Sequence, residues 1–351
     1  MSNNPAYTTL LHSHTIPTGD LTFRNRLVLL SLPILSAAPE EIISPEQLRS
    51  LQRQSRGVGM TISPPCAVTI EGRAGDREWD CADDEAIPDL RRVAEAIHEG
   101  GALAVLHIRH SGRLSPSSIR KHAPMAPDTI GDESPVAELP HEMTEQEIEE
   151  TIKAFGRGAR RAILAGFDAV EIDGADGTLL QQFFSPSSNQ RRDQWGGGVE
   201  NRAAFPIAVL EEVREVVRRN AYRPFAIGYR LSPEEALELG ISMDQTLQLV
   251  EGLVACRPDW IHVSTENFLA GSLRSGRDRR SCAAVIAERI AHRTDVLASG
   301  EITTAEQAAS ALAAGANLVG IGRSLVSSAD WVEELFPPHP TTTPSVTEVD
   351  P

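Results

Sequence analysis

Short apolar runs alternate along this chain with longer segments whose apolar residues recur three and four positions apart. The first pattern fits buried strands and the second amphipathic helices. Strand-like runs fall at 27–30, 59–62, 102–108, 169–172, 225–229, 260–263, 296–298 and 318–321. Helix starts between them are marked by Ser44-Pro45-Glu46 and by Thr144-Glu145-Gln146-Glu147. In the second, a hydroxyl can cap the first turn and acidic side chains complement the helix dipole. Eight strand–helix units in strict alternation predict an α/β fold, a single (β/α)8 TIM barrel. A doubly wound sheet is the competing arrangement. It wants a Gly-x-Gly-x-x-Gly turn after an early strand, and none follows any strand here.

Ahead of the first strand, 16–23 reads as a hairpin turning at Gly19-Asp20 that closes the bottom of the barrel. Residues 1–15 are expected to form an N-terminal arm, with 1–9 disordered; the barrel spans 16–336, and the Pro/Thr-rich stretch 337–351 is a disordered tail. Two connections exceed simple turns: an excursion at 109–143 after strand three, and 264–280 after strand six. Both leave the C-terminal ends of strands, where lids and specificity loops of barrels lie. The second carries Arg274, Arg277, Arg279 and Arg280. They read either as a solvated loop or as a dock for a phosphorylated cofactor or acidic substrate.

Composition narrows the partners. With 41% hydrophobic and 23% charged residues among 351, a well-formed core is expected. A formal charge of -16 argues against nucleic acid or an anionic membrane as a partner. No apolar run approaches the roughly 20 residues of a membrane span, and no basic region leads into an apolar segment at the N-terminus. Cys66, Cys81, Cys256 and Cys282 form no Cys-x-x-Cys pair, so no metal site is expected and reduced thiols are the default. The chain is expected to be soluble and cytoplasmic, and a homo-oligomer stays open.

Candidate chemistry gathers at predicted strand ends. The fourth strand runs into Asp173, Gly174, Ala175, Asp176, Gly177 and Thr178, small and polar residues where a barrel faces its ligand. The two aspartates are expected to share a small cavity, where mutual repulsion and lost solvation raise at least one carboxyl pKa. Strands seven and eight end in Gly300 and in Gly322-Arg323. Glycines let backbone N–H groups approach phosphate oxygens, and a guanidinium binds two of them at once. Arg230 ends strand five after an apolar run, a costly place for a cation without an anionic partner.

The stretch LLQQFFSPSSNQRRDQWGGGVENR at 179–202, together with GYRLSPEE and GANLVGIGRSLV, resembles the old yellow enzyme family of FMN-dependent ene-reductases and NADH:flavin oxidoreductases. The resemblance covers about 16–336 and implies FMN as cofactor and NADH or NADPH as reductant. It also implies a small-molecule acceptor reduced in the same cavity. By the same resemblance Gly300, Gly322 and Arg323 hold the FMN phosphate, and Arg230 sits beside the flavin N1/C2 edge. His107 stands where the family has a glutamine on the pyrimidine. Leu32-Pro33 stands where the family has a Pro-Met or Pro-Leu pair against the ring. Pro65 replaces a small residue whose N–H reaches the flavin, and proline has none. The family's substrate-binding His-x-x-His or His-x-x-Asn pair falls at Asp173 and Asp176, and its tyrosine proton donor at Thr178. The expected activity is thus an FMN-dependent NAD(P)H oxidoreductase with altered acceptor specificity. The competing reading is a catalytically weakened relative acting as a carrier or assembly partner.

Overall fold

The computed structural model describes residues 5–18, 21–30, 43–119, 122–130, 139–274, 279–322 and 330–332. Pro33, Arg277, Arg323, the Gly19-Asp20 turn and the 337–351 tail lie outside the described residues.

Eight parallel strands close on themselves: β1 (Leu27–Leu29), β2 (Met60–Ala67), β3 (Leu103–Arg109), β4 (Ala169–Gly174), β5 (Ala226–Leu231), β6 (Trp260–Ser264), β7 (Asp295–Ser299) and β8 (Leu318–Ile321). Neighbours in sequence are neighbours in the sheet, and β8 pairs with β1 to complete the (β/α)8 barrel. Most strands run beyond the predicted ends. The largest extension is β2, which continues through Pro64 and Pro65. Prolines cannot donate to a ladder and are confined to edges and bulges. Here the register with β3 shifts between Ile62 and Pro65, and the Ser63 hydroxyl oxygen accepts the His107 N–H at 3.1 Å in place of a carbonyl.

Among the described residues the α-helices are α1 (Pro5–Leu11), α2 (Pro45–Gln54), α3 (Ile87–Glu99), α4 (Glu145–Ala165), α5 (Leu179–Phe184), α6 (Val199–Asn220), α7 (Met243–Ala255), α8 (Cys282–Ile290) and α9 (Ala305–Ala313). The predicted starts of α2 and α4 are capping boxes, Ser44 with Gln47 and Thr144 with Glu147. Gly166 ends α4 at φ 93, a left-handed position that favours glycine. The expected disorder of 1–9 is corrected from residue 5 onward by α1. Leu10 is fully buried, and the Tyr7 hydroxyl donates to Glu306 on α9 at 2.5 Å. Two side-chain anchors order a segment whose composition is otherwise polar.

The hairpin pairs His14–Thr15 with Thr22–Phe23. Its Ile16 and Phe23 pack with Val28, Met60, Val105, Trp260, Leu297 and Leu318 into a separate apolar cluster at the lower end of the barrel. Gly228 makes room for the Trp260 indole, whose atoms lie 2.1 Å from where a Cβ would stand. Above this plug the inward positions turn polar: His107, Glu171, Asp173, His262 and Ser299, all buried. Among the described residues no helix is long and apolar enough to cross a membrane.

The two long connections are pinned to the frame. Arg191 donates to the carbonyls of Pro127 (2.9 Å) and Met143 (2.8 Å), holding the excursion after β3 against the 179–202 stretch. Arg274, considered above as part of a ligand dock, instead donates to the carbonyls of Leu237, Glu238 and Gly240. Its cation ties the loop after β6 to the loop after β5. Arg280 is paired with Glu288.

Candidate active site

At the C-terminal rim, β4 places Asp173 inside the strand, whereas the sequence suggested a position past its end. Its carboxylate lies 3.1 Å from His107 Nε2 on β3, and both side chains are 1% exposed. The second oxygen accepts the Ala175 N–H at 3.1 Å. Burial alone would raise the carboxyl pKa, but the facing His107, with Arg230 and Arg109 behind it, holds Asp173 well below the ordinary carboxylate range. The expected shared cavity with a raised pKa is therefore corrected. A carboxylate that faces cations on neighbouring strands stays ionised, and the other aspartate points elsewhere.

Asp176 sits in a turn at φ 52, and its mostly exposed carboxylate accepts from Arg230 Nη2 at 2.6 Å. Thr178 is buried, and its hydroxyl donates to the Asp173 carbonyl at 3.0 Å. It stands at the N-cap of α5, so neither aspartate caps that helix. Pro65 pairs in register with His107 on the adjoining strand.

Arg230 closes the circle. Its Nη2 also donates to Ser264 at 2.9 Å, while its buried Nε has no protein partner. Burial would lower the guanidinium pKa, yet Asp173, Asp176 and Glu171 together raise it. It remains a cation with one buried donor to offer. Beside it opens a cavity of about 430 Å³ whose lining includes Leu30, Arg230, Ser264, Ser299, Gly300 and Gly322. Gly300 has φ +137, and a Cβ there would meet the Thr265 carbonyl at 2.5 Å. The cavity thus brings together three of the predicted residues, Arg230, Gly300 and Gly322, while Asp173, Asp176, Thr178, His107 and Pro65 are not in its lining.

Sequence reading passed over Glu171, Trp260, His262, Ser264 and Ser299. Glu171 accepts from Trp260 Nε1 at 2.9 Å and faces His262 Nδ1 at 3.1 Å, and His262 Nε2 lies 2.9 Å from Ser299 Oγ. Period two was the available signal: Glu171 and Asp173 alternate with Val170 and Ile172, and His262 with Ile261 and Val263. Such polar residues inside apolar strands face the barrel axis. A buried cationic donor without a partner, beside a glycine-lined cavity, fits the anionic edge and phosphate of FMN.

Comparison with known proteins places the chain. The NADH:flavin oxidoreductase / NADH oxidase family model matches residues 14–337. A probable NADH-dependent flavin oxidoreductase, YqiG of Bacillus subtilis, is 35% identical over 333 residues, covering 95% of this chain and 89% of that protein. The NADH:fumarate oxidoreductase of Klebsiella pneumoniae is also 35% identical over 93% of this chain, which spans only 36% of that longer protein. Among solved structures, the old yellow enzyme homologue from Zymomonas mobilis superposes with a TM-score of 0.80 at 22% identity, over 95% of this chain and 93% of the other. The matched segment and the identity along it show that the chain belongs to the NADH:flavin oxidoreductase / NADH oxidase family, the FMN-dependent oxidoreductases of old yellow enzyme type.

Proposed function

We propose that this oxidoreductase carries electrons from NADH or NADPH through FMN to an acceptor other than a simple enone. The observation that carries the reading is the engagement of Asp173, Asp176 and Thr178 within the protein. One carboxylate faces His107, the other accepts from Arg230, and the threonine proton goes to a main-chain carbonyl. An ionised carboxylate only accepts hydrogen bonds, so neither aspartate offers a donor to a developing enolate oxygen. A threonine hydroxyl is also far too weak an acid to replace a tyrosine.

In this reading Gly300, Gly322 and Arg323 hold the FMN phosphate, Arg230 holds the flavin's N1/C2 edge, and Pro33 lies against the ring. His107 and Pro65 border the pyrimidine side. When bound, FMN supplies the hydride chemistry. Arg230, kept cationic by three carboxylates, stabilises negative charge at that edge. Asp176 holds the guanidinium from the solvent side, and Ser264 holds it from β6.

The test is anaerobic reduction of the FMN-loaded protein by NADH and by NADPH, followed by mixing with cyclohexenone or with a one-electron acceptor dye. Rapid reduction, slow reoxidation by the enone and fast reoxidation by the dye are expected. Brisk enone turnover at neutral pH refutes the proposal, as does a protein that cannot be loaded with FMN.

A further inference from the structure

The turn that follows β3 carries donors that the protein itself does not use. Alternation along β3 sets Val105 in the lower plug and His107 in the polar tier, so Arg109, the last residue of the strand, faces inward at the rim. Its Nε donates to Glu78, whose other oxygen accepts the Ala74 N–H. This anchor fixes the guanidinium, and neither Nη group donates a hydrogen bond among the described residues. Arg113 is half-buried, with no ion pair and no side-chain hydrogen bond among the described residues, and its Nε is fully buried. By contrast Arg191, Arg202 and Arg274 each donate to main-chain carbonyls. Between the two arginines, Ser111 is 1% exposed and its hydroxyl has no partner. His110 is buried too, which pushes its pKa down to about 4 and keeps the ring neutral. Its Nδ1 accepts the Gly112 N–H at 3.0 Å, so the ring proton sits on Nε2, again without a partner. Three buried donors left unmade between residues 110 and 113 are a cost that a ligand removes.

The turn is seated beside Thr178. Leu179 N–H donates to the His110 carbonyl at 2.8 Å. Gln182 holds the other end, its Nε2 donating to the Ser111 carbonyl and its Oε1 accepting the Arg113 N–H. These bonds press 110–113 against the start of α5, and Arg109 stands near enough to Asp173 to help keep that carboxylate ionised. We infer that the turn from Arg109 to Arg113 is an anion-binding site, at which the two guanidinium groups take a carboxylate or phosphate of the molecule that reacts with the flavin. In a chain of formal charge -16, no described carboxylate pairs with Arg113, and a planar fork of donors matches such oxygens two at a time. The inference rests on the reading that reductant and acceptor both react at this rim. Two sources carry the chemistry: the pyrophosphate of NADH or NADPH, and a carboxylate on the acceptor.

The test uses the FMN-loaded protein and two pairs of probes, each a charged molecule with its neutral counterpart. The reductants are NADH and benzyl-dihydronicotinamide; the acceptors are a naphthoquinone with and without a carboxylate. Arg113→Gln should lower the charged-to-neutral ratio of second-order rate constants about 10-fold or more in at least one pair, the worth of a charge-assisted hydrogen bond. A fall with the reductants assigns the site to the pyrophosphate, a fall with the acceptors to the carboxylate, and a fall with both to each in turn. Arg113→Lys keeps the charge without the fork and should recover part of the ratio. Arg257→Gln removes the same charge from the lower end of the barrel, just before β6, and should move neither ratio. Inorganic phosphate should slow the charged member of the responding pair more than the neutral one in the unmodified protein, a readout that needs no variant to fold. Ratios unmoved in Arg113→Gln, equal falls in Arg113→Gln and Arg257→Gln, or phosphate that slows both members alike overturn the inference. A protein that cannot be loaded with FMN, or that neither reductant reduces, overturns the reading beneath it.

Discussion

Replacing His107 by glutamine leaves the Asp173 carboxylate buried without its nearest cation. At 3.1 Å the gross attraction between unit charges is about 5 kcal/mol at an effective dielectric constant of 20. Most of it offsets desolvation, so the pair adds little over a neutral pair; removing one member, however, costs about 3–5 kcal/mol. Arg230 still faces Asp173, which places His107→Gln near the lower end, at about 3 kcal/mol. Asp173→Asn leaves a neutral amide that still accepts the Ala175 N–H and should cost less. The double variant should cost less than the sum by at least ~1 kcal/mol. Urea unfolding of the apoprotein measures all four corners of the cycle. The pH dependence has a definite sign. The folded pKa of Asp173 is depressed from 3.8, so its stabilisation is complete above the ordinary carboxylate range and is lost as pH falls through and below that range. The gap between wild type and His107→Gln should therefore narrow in acid. Strictly additive costs, or a gap that is flat into acid, would refute the ion pair as the reason this carboxylate tolerates burial.

Two further outcomes follow from the same rim. Arg230→Met should lower the flavin reduction potential, because the negatively charged reduced ring loses its counter-charge; an unchanged potential in a variant that still binds FMN would leave Arg230 as a partner of Asp176 alone. Combining His107→Gln, Asp173→His, Asp176→Asn and Thr178→Tyr should create cyclohexenone reductase activity where the wild type shows little. The same substitutions at 173, 176 and 178 without His107→Gln should do worse, since two histidines would then crowd one buried site, and equal turnover of the two variants would contradict that.

The barrel was legible because strands of a closed parallel sheet are covered on both faces and read as unbroken apolar runs. The floor of the site was hidden for the same reason. Glu171 and His262 interrupt such runs singly, and only the partners supplied by other strands explain why they are tolerated. Asp173 looked like a residue past a strand end because a carboxylate fits poorly in a buried strand. His107, far away in sequence, changes that. Conversely, the 179–202 stretch that carries the family resemblance turns out to be largely scaffold. Asn189 Nδ2 donates to the carbonyls of Phe183 and Trp195, Arg191 grips the excursion after β3, and Arg202 donates to the Phe184 carbonyl. These bonds fix a loop's path, which explains why so long a motif says little about the acceptor.

The division of the barrel interior into a dry lower plug and a polar upper tier bears on how such a site changes over generations. The plug is closed by the hairpin, by Trp260 and by apolar residues of several strands, and Trp260 is tied to the polar tier above by its indole N–H to Glu171. Substitutions in the upper tier other than at Glu171 therefore alter charges and donors without touching the apolar layer beneath. What they must preserve is local charge balance, one partner for each buried ionic group. His107 facing Asp173 is one such pair, so the two positions are coupled in stability. A substitution of one member of such a pair alone would leave the other buried without its partner, at a cost in stability.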